Sequence, residues 1–426
     1  MSTRRRVVEA GKTVLIALLA VSALFLAWRT RLFNGFFNAV PFFGNVAVLM
    51  RGASGTAETS GAVLKEAARP ICIVITDEEG NRYGEKYDIE ARNAVYDRIS
   101  SIMSESLGSA TELQEISEAE WRSALSGPGV FFEYAMPVKL PVLDGWLGAH
   151  MTECPDFLSL THIYVAFGED RSRIYLQDHG SGVFFGADTA SSAGKAQELD
   201  IYSPNGALFA FETGIDAAEN SPYMLVMPGG GHPDIRAGTA GSAADLLDIV
   251  LAALGHSDEM PAILPEADGA LRCVGTQFNI SVDARGYVFY RPTDNLPPTE
   301  DRQALSESEM IERARVIVAE TIGGQCGSAE VFFESLEQNA GYASVNFGYY
   351  AAGGRVHLHD DVNAARISFL SGTVRSIELN FRNFTLTDDY TALLPERQAL
   401  AAAGGEFILC YSDTGVESIQ PAWARR

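Results

Sequence analysis

Thr13 to Trp28 reads TVLIALLAVSALFLAW, sixteen residues without a charge, and no other stretch of the 426-residue chain approaches it in unbroken apolar length. Such a run forms either a buried core helix or a helix in lipid, and its flanks decide between them. Residues 1 to 31 carry Arg4, Arg5, Arg6, Lys12, Arg29 and Arg31 against one acid, Glu9, a balance of +5. The remainder holds 26 basic against 54 acidic residues, a balance of −28. As a helix the run rises about 24 Å, short of a hydrocarbon core of about 30 Å, so Lys12 and Arg29 must snorkel outward. Leu32, Phe33, Phe36, Phe37, Phe42 and Phe43 follow closely and supply interfacial anchors. The basic excess on the N-terminal side predicts a cytoplasmic N-terminus and an exported body.

A cleaved signal peptide is the competing reading, because Ala20-Val21-Ser22 has a small-x-small form. Cleavage there leaves an apolar core of only six residues, Val14 to Leu19, and strands Phe25 and Trp28 at the mature terminus. A retained, single-pass anchor is therefore expected, which argues against a transporter or channel. The acidic body repels phosphate backbones, so nucleic acid is not an expected partner. With 47% hydrophobic residues the chain can bury sizeable cores. Cys72, Cys154, Cys273, Cys326 and Cys410 are odd in number, scattered and never in a CxxC arrangement, so neither a disulfide framework nor a zinc knuckle is expected.

Gly52 to Gly61, GASGTAETSG, has the small, polar composition of a flexible linker, and folded structure is expected from about Arg69. ICIVIT, DEEGN and RYGEKYDI read as strand, turn and strand. Val95, Ile99, Ile102, Met103 and Leu107 recur near helical spacing and predict a helix over Ile89 to Leu107, closed by Gly108. Ser117 with Glu120 has the form of a capping box and opens a second helix, Ser117 to Leu125. Strands follow at VFFEYAMPVKL, THIYVAFG, RSRIYLQD and SGVFFGAD, then a helix over Ala243 to Leu254. Pro261 to Gly269 is rich in Pro, Asp, Glu and Gly and marks a boundary. Beyond it, LRCVGTQFNISV and YVFYRP flank a turn at DARG, and Ser306 with Glu309 caps a helix reaching Ile322. AEVFFESLE, ASVNFGYYA, VNAARISFLSG and VRSIELNFRNFTL read as strands, followed by a short helix from Pro395 to Ala403 and a closing hairpin.

The fold class expected is α+β: one N-terminal transmembrane helix, then two mixed α+β exported domains with mainly antiparallel sheets. The organisation reads as a cytoplasmic basic tail (1–12), the transmembrane helix (13–28), an interfacial stretch and linker (29–68), a first exported domain (69–258) and a second (259–426).

Few strings carry chemistry. His357-Leu358-His359-Asp360-Asp361 is the most site-like, since residues at i and i+2 of a strand share a face and two imidazoles with an aspartate begin a metal shell. No further His or Cys cluster completes three protein ligands, so a polar, solvent-facing strand end or turn beside Gly353 and Gly354 is the favoured reading. Met227-Pro-Gly-Gly-Gly-His-Pro-Asp234 lacks both the Walker A lysine and the GxGxxG order, and reads as an irregular loop. Asp178-His179 has no G-x-S-x-G elbow to supply a nucleophile, and Gly255-His256-Ser257 has no second glycine. Gln325-Cys326-Gly327 follows a helix end and reads as a C-cap loop. Paired carboxylates are too frequent by chance among 54 acids to be diagnostic. No catalytic, cofactor-binding or metal-binding residue is assigned, and no cofactor is expected.

The basic N-terminus, the apolar helix running into LFLAWRT, and the hairpin, helix and strand units behind it resemble the YycH/YycI-like proteins. EAEWRSALSGPG (Glu118 to Gly129) leading into VFFEYAMPV, and Pro395 to Ala403 leading into FILCYSD and QPAW, are similar to a clostridial branch of that family. The resemblance implies an α+β exported region on a single-pass anchor and a non-enzymatic role. Such proteins regulate the WalK/WalR-type two-component system of low-GC Gram-positive bacteria, which controls cell-wall metabolism. The implied partners are a WalK-like sensor histidine kinase and a sister YycH/YycI-like protein, met partly through the transmembrane helix. The alternatives are a cell-envelope enzyme or glycan-binding protein acting on wall polymer, and an exported scaffold.

Overall fold

The computed structural model describes residues 61–168, 171–190, 199, 201–229, 231–293 and 305–425. The tail at 1–12, the transmembrane helix at 13–28 and the interfacial stretch up to residue 60 lie outside the described residues. Among the described residues no helix is long and apolar enough to cross a membrane. Part of the stretch read as linker is helix α1 (Gly61–Ala67), whose Lys65 carbonyl accepts a hydrogen bond from Tyr96 Oη at 3.0 Å.

The first sheet takes the strands β1 (Cys72–Thr76), β2 (Arg82–Glu85), β3 (Gln114–Ile116), β4 (Gly129–Lys139), β5 (Ser159–Ala166), β6 (Ser172–Asp178) and β7 (Phe184–Thr189) in the antiparallel order β2-β1-β4-β5-β6-β7-β3. Its central strands are apolar at nearly every position because both faces are covered. Ile73, Ile75, Val130, Phe132, Ile163 and Val165 meet helices α2 (Ile89–Gly108) and α4 (Leu140–Leu147). The alternate residues Cys72, Val74, Phe131 and Tyr164 meet α3 (Glu118–Leu125) and the short pair β8 (Leu208–Phe209) and β9 (Leu225–Val226). Asp88 caps α2 by accepting from the Ala91 amide at 2.9 Å, and Val95, Tyr96, Ile99, Ile102, Met103 and Leu107 are its buried apolar residues.

β10 (Gly231–Thr239) leaves that layer and pairs with β20 (Arg382–Ala392) and β22 (Ser418–Ile419) in a three-stranded sheet. The large sheet contains β11 (Ala262–Pro265), β12 (Leu271–Val274), β13 (Phe278–Val282), β14 (Tyr287–Pro292), β15 (Ala329–Asn339), β16 (Tyr342–Ala351), β17 (Gly354–Leu358), β18 (Ala365–Leu370), β19 (Thr373–Asn380), β21 (Phe407–Asp413) and β23 (Pro421–Arg425). Its order is β11-β12-β13-β14-β19-β18-β16-β17-β21-β23, with β15 on β16. All its pairings are antiparallel except β17 with β21. Helices α5 (Ala243–Ala253) and α6 (Glu307–Val318) bury Leu247, Val250, Ile311, Ala314 and Ile317 in the same core as Ile280, Val288, Val345, Ile367 and Ile377. Helix α7 (Glu396–Ala403) packs Ala399 and Leu400 against Ala210, Met224 and Val226.

The mixed, mainly antiparallel α+β architecture is as expected, with local differences. Helix α6 stops at Val318 and continues as a π turn, Ala319–Gly323. The single strand expected in VRSIELNFRNFTL is two strands in two sheets, with the fully buried Phe381 between them. The loop expected at Met227 to Asp234 is half strand, because Gly231 to Pro233 pair with Tyr390 to Ala392 and Asp234 follows at a register shift within β10. The Ser117 cap is one-sided: its hydroxyl accepts from the Glu120 amide at 3.2 Å, while Glu120 turns to Arg173 at 3.4 Å.

Candidate functional site

The strings singled out in the sequence do not come together. β17 ends at Leu358, so His357 lies on the strand while His359 and Asp360 lie in the following turn, where Asp360 has φ +64°. His359 Nδ1 pairs with Asp360 Oδ2 at 2.8 Å. Burial, then the Arg355 charge, holds the His357 imidazole below its ordinary range. Among the described residues no three His, Cys, Asp or Glu side chains are grouped to hold a metal ion. Asp178 accepts from the Ser159 amide at 2.9 Å and from the Ser181 amide and hydroxyl at 2.8 and 2.7 Å. Burial alone would raise its carboxyl; these hydrogen bonds outweigh burial and hold it below the usual range. His256 lies 4.0 Å from the Phe278 ring, tilted by 32°, and pairs with Glu259 at 2.8 Å. Cys326 is buried with its thiol donating to the Gly323 and Ala329 carbonyls, and burial pushes that thiol up to about 11. A thiol so protonated is a poor nucleophile.

EAEWRSALSGPG builds a layer of packing. Trp121 is fully buried, with the rings of Phe184 and Tyr223 at 5.3 and 5.7 Å. Glu118 accepts from Tyr223 Oη at 2.7 Å and pairs with Arg122, whose guanidinium sits 5.6 Å from the Phe211 ring. Arg82 clamps the same layer from β2, with Glu212 at 2.6 Å and the Leu125 carbonyl at 3.0 Å. The motif therefore fastens α3 and residues 208–226 to the outer face of the first sheet.

The least ordinary electrostatics lie where the first sheet meets the rest of the molecule. Lys86, Arg92 and Glu133 on the first-sheet side, and His232 and Glu396 opposite, are all buried. Tyr87 Oη donates to Glu396 Oε1 at 2.5 Å, and the Met227 amide donates to Glu396 Oε2 at 3.2 Å. The Tyr87 ring meets His232 edge-on at 4.6 Å, and His232 meets Trp423 at 5.2 Å. Arg92 pairs with Glu330 of β15 and lies 5.7 Å from the Phe332 ring. Asn93 Nδ2 reaches the other Glu330 oxygen at 2.6 Å. Gly353 fits at φ +70° because a side chain there would strike the Lys86 carbonyl and stand 2.7 Å from Tyr87 Cα. The end of β4 and helix α4 are tied to α6, through Lys139 with Glu307 and Trp146 Nε1 donating to Glu312 at 3.2 Å.

Burial, reinforced by the Lys86 charge, lowers the His232 imidazole to about 4, so it is neutral at pH 7. Burial and then Glu396 raise the Tyr87 hydroxyl, and burial with Glu133 raises the Cys72 thiol. Burial thus holds His232, Tyr87 and Cys72 in their uncharged forms beside the Arg92–Glu330 ion pair. Such a seam fixes the orientation of two sheets; it presents no activated nucleophile. Sequence reasoning missed it, although Glu133, a lone acid inside the apolar VFFEYAM, was a visible signal.

No protein-family model matches the chain, and no curated protein matches it. Among solved structures, the chain is similar to the crystal structure of YycH from Bacillus subtilis, with a TM-score of 0.55 and 13% sequence identity over 85% of this chain and 94% of that one. An uncharacterized protein from Eubacterium rectale matches at a TM-score of 0.30 and 12% identity, over 46% of this chain and 76% of that one, too loosely to carry an argument. At such identities a likeness concerns the fold: the described chain has a YycH-like α+β fold.

Proposed function

We propose that the protein is a non-enzymatic, membrane-anchored extracytoplasmic regulator of a sensor histidine kinase that controls cell-wall metabolism. The observation that carries this reading is the YycH-like fold over most of both chains, joined to a basic-flanked apolar run at residues 13 to 28. In this reading the N-terminus is cytoplasmic and the body is extracytoplasmic, organised as exported units over 69–258 and 259–426. Ala17, Ala20, Ala23 and Ala27 recur at spacings of three and four, so one face of a helix there permits close approach to a kinase helix or to a sister YycH/YycI-like protein. The exported sheets, held by the buried seam, act as a stiff body that biases the kinase between two states through the anchor.

The test is tagged full-length protein solubilised gently from native membranes, compared with a variant whose residues 13–28 are replaced by an unrelated helix. Enrichment of a histidine kinase with the native helix alone supports the proposal. Wall enzymes or glycan fragments in place of a kinase would overturn it in favour of an envelope enzyme or glycan-binding protein.

A further inference from the structure

Among the described residues, the stretch 207–227 alone belongs both to the apolar cluster around α3 and to the one around α7. Phe209, Tyr223 and Leu225 are buried with Trp121 and Leu125 of α3 on the outer face of the first sheet. The alternate residues Ala210, Met224 and Val226 are buried with Ala399 and Leu400 of α7 and with Phe407 of β21. The ribbon between them is slight. β8 and β9 pair only Leu208 with Val226 and Phe209 with Leu225, and the ladder is prolonged by the Ala210 amide on the Met224 carbonyl at 2.9 Å and the Phe211 amide on the Pro222 carbonyl at 3.0 Å. A two-stranded ribbon of this size is marginal at best on its own, so burial of its two faces is what holds it.

Polar contacts fasten both sides. Towards the first sheet, Asn205 closes the edge of β2, its Nδ2 donating to the Gly84 carbonyl at 2.7 Å and its Oδ1 accepting from the Gly84 amide at 3.0 Å. Gly84 admits the ribbon because a Cβ there would stand 2.7 Å from Ala207 Cβ and Leu225 Cδ2. Arg122 of α3 pairs with Glu219 at 3.2 Å. Towards α7, Arg397 Nη2 donates to the Thr213 carbonyl at 3.0 Å, and Asn220 Nδ2 to the Gly404 carbonyl at 2.8 Å. Helices α3 and α7 have eight residues each, too few to hold a helix in water unaided, so each depends on the ribbon face against it.

We infer that residues 207–227 are a two-faced coupler: α3, the ribbon and α7 open and close as one unit, so a partner that displaces α7 loosens α3, and the reverse. Withdrawal of either helix bares one face of the ribbon, and the face that remains is too small to keep the ribbon folded. The coupling is reciprocal because it is a free energy shared by the two ends. It is a property of the fold and does not depend on which partner the protein regulates.

The test is amide hydrogen exchange of the full-length protein in detergent. Leu400→Ala empties the α7 face while leaving α3 untouched, and should speed exchange at 396–403, 207–227 and 118–125 by a common factor, on the order of tenfold or more. Asn220→Ala, at an exposed bond, guards against outright unfolding and should speed the same three stretches together, by a smaller factor. Both variants keep the Glu396–Tyr87 hydrogen bond, so they do not disturb the direct link from α7 to the loop after β2. Leu247→Ala, the same truncation in α5, is the control and should leave 118–125 unchanged. Exchange at 118–125 that stays at the parental rate in the α7-side variants would overturn the coupling, as would an equal acceleration there in Leu247→Ala.

Discussion

Glu396 enters the seam from the first turn of α7 with both oxygens engaged, one by Tyr87 and one by the Met227 amide. Truncation in Glu396→Ala leaves two buried donors without an acceptor and should destabilise the protein by roughly 2–4 kcal/mol, read from urea midpoints; Glu396→Gln, which keeps one carbonyl oxygen, should lose less. His232 makes a pH signature. The unfolded chain takes up its proton near 6.5, whereas the folded site takes it up only near 4. Between these values the unfolded state binds more protons, so this contribution to stability is complete above 6.5 and falls as pH drops towards 4, by at most roughly 3 kcal/mol. Burial shifts Glu334 and Glu320 upward, which acts in the opposite sense. The measurement is therefore a difference: His232→Leu should have a flatter stability profile between pH 4 and 6.5 than the parent. Equal slopes would remove His232 from the acid response. Neither residue was legible as a partner of Tyr87, because a carboxylate 309 positions away leaves no local pattern.

Helices were the most legible elements where a cap and an apolar stripe coincided. Ser306 and Glu309 form the reciprocal box expected of them, with Ser306 N donating to Glu309 Oε2 at 2.8 Å and Glu309 N to Ser306 Oγ at 3.3 Å. Ser306→Ala should cost about 1 kcal/mol, as a fall in melting temperature. The same spacing at Ser117 overstated the cap, because Arg173 on β6 competes for Glu120. Helix α4 was missed: LPVLDGWL follows Lys139, the last residue of β4, with no turn residue between them and no capping side chain to mark a helix start, although Pro141 suits a first helical turn. Trp121 shows how a motif can be specific and yet structural. Trp121→Ala empties the centre of the α3 layer and should destabilise by about 3–5 kcal/mol, with faster amide exchange confined first to 118–125, 205–226 and 396–403. Loss of exchange protection across the first sheet at the same rate would contradict that layer's separateness.

Across the whole molecule, the ladder between β10 and β20 joins residues 231–239 to 382–392, and Tyr87 with Glu396 and Trp146 with Glu312 add further links between early and late stretches of the chain. Calorimetry of residues 61–426 should therefore show one cooperative transition; two well-separated transitions would mean that units such as 69–258 and 259–426 unfold independently. The amino-acid sequence by itself determined the charge asymmetry, the apolar run at 13–28, most strands and helices, and the antiparallel α+β class, because each follows from contacts or periodicities within a few residues. Only the tertiary structure decided that β10 pairs with β20, that β17 runs parallel to β21 and that α7 delivers Glu396 to Tyr87. An alternating strand carries the same pattern whichever neighbour it pairs with, and a buried charge reads as an ordinary polar residue until the fold brings its partner across the seam.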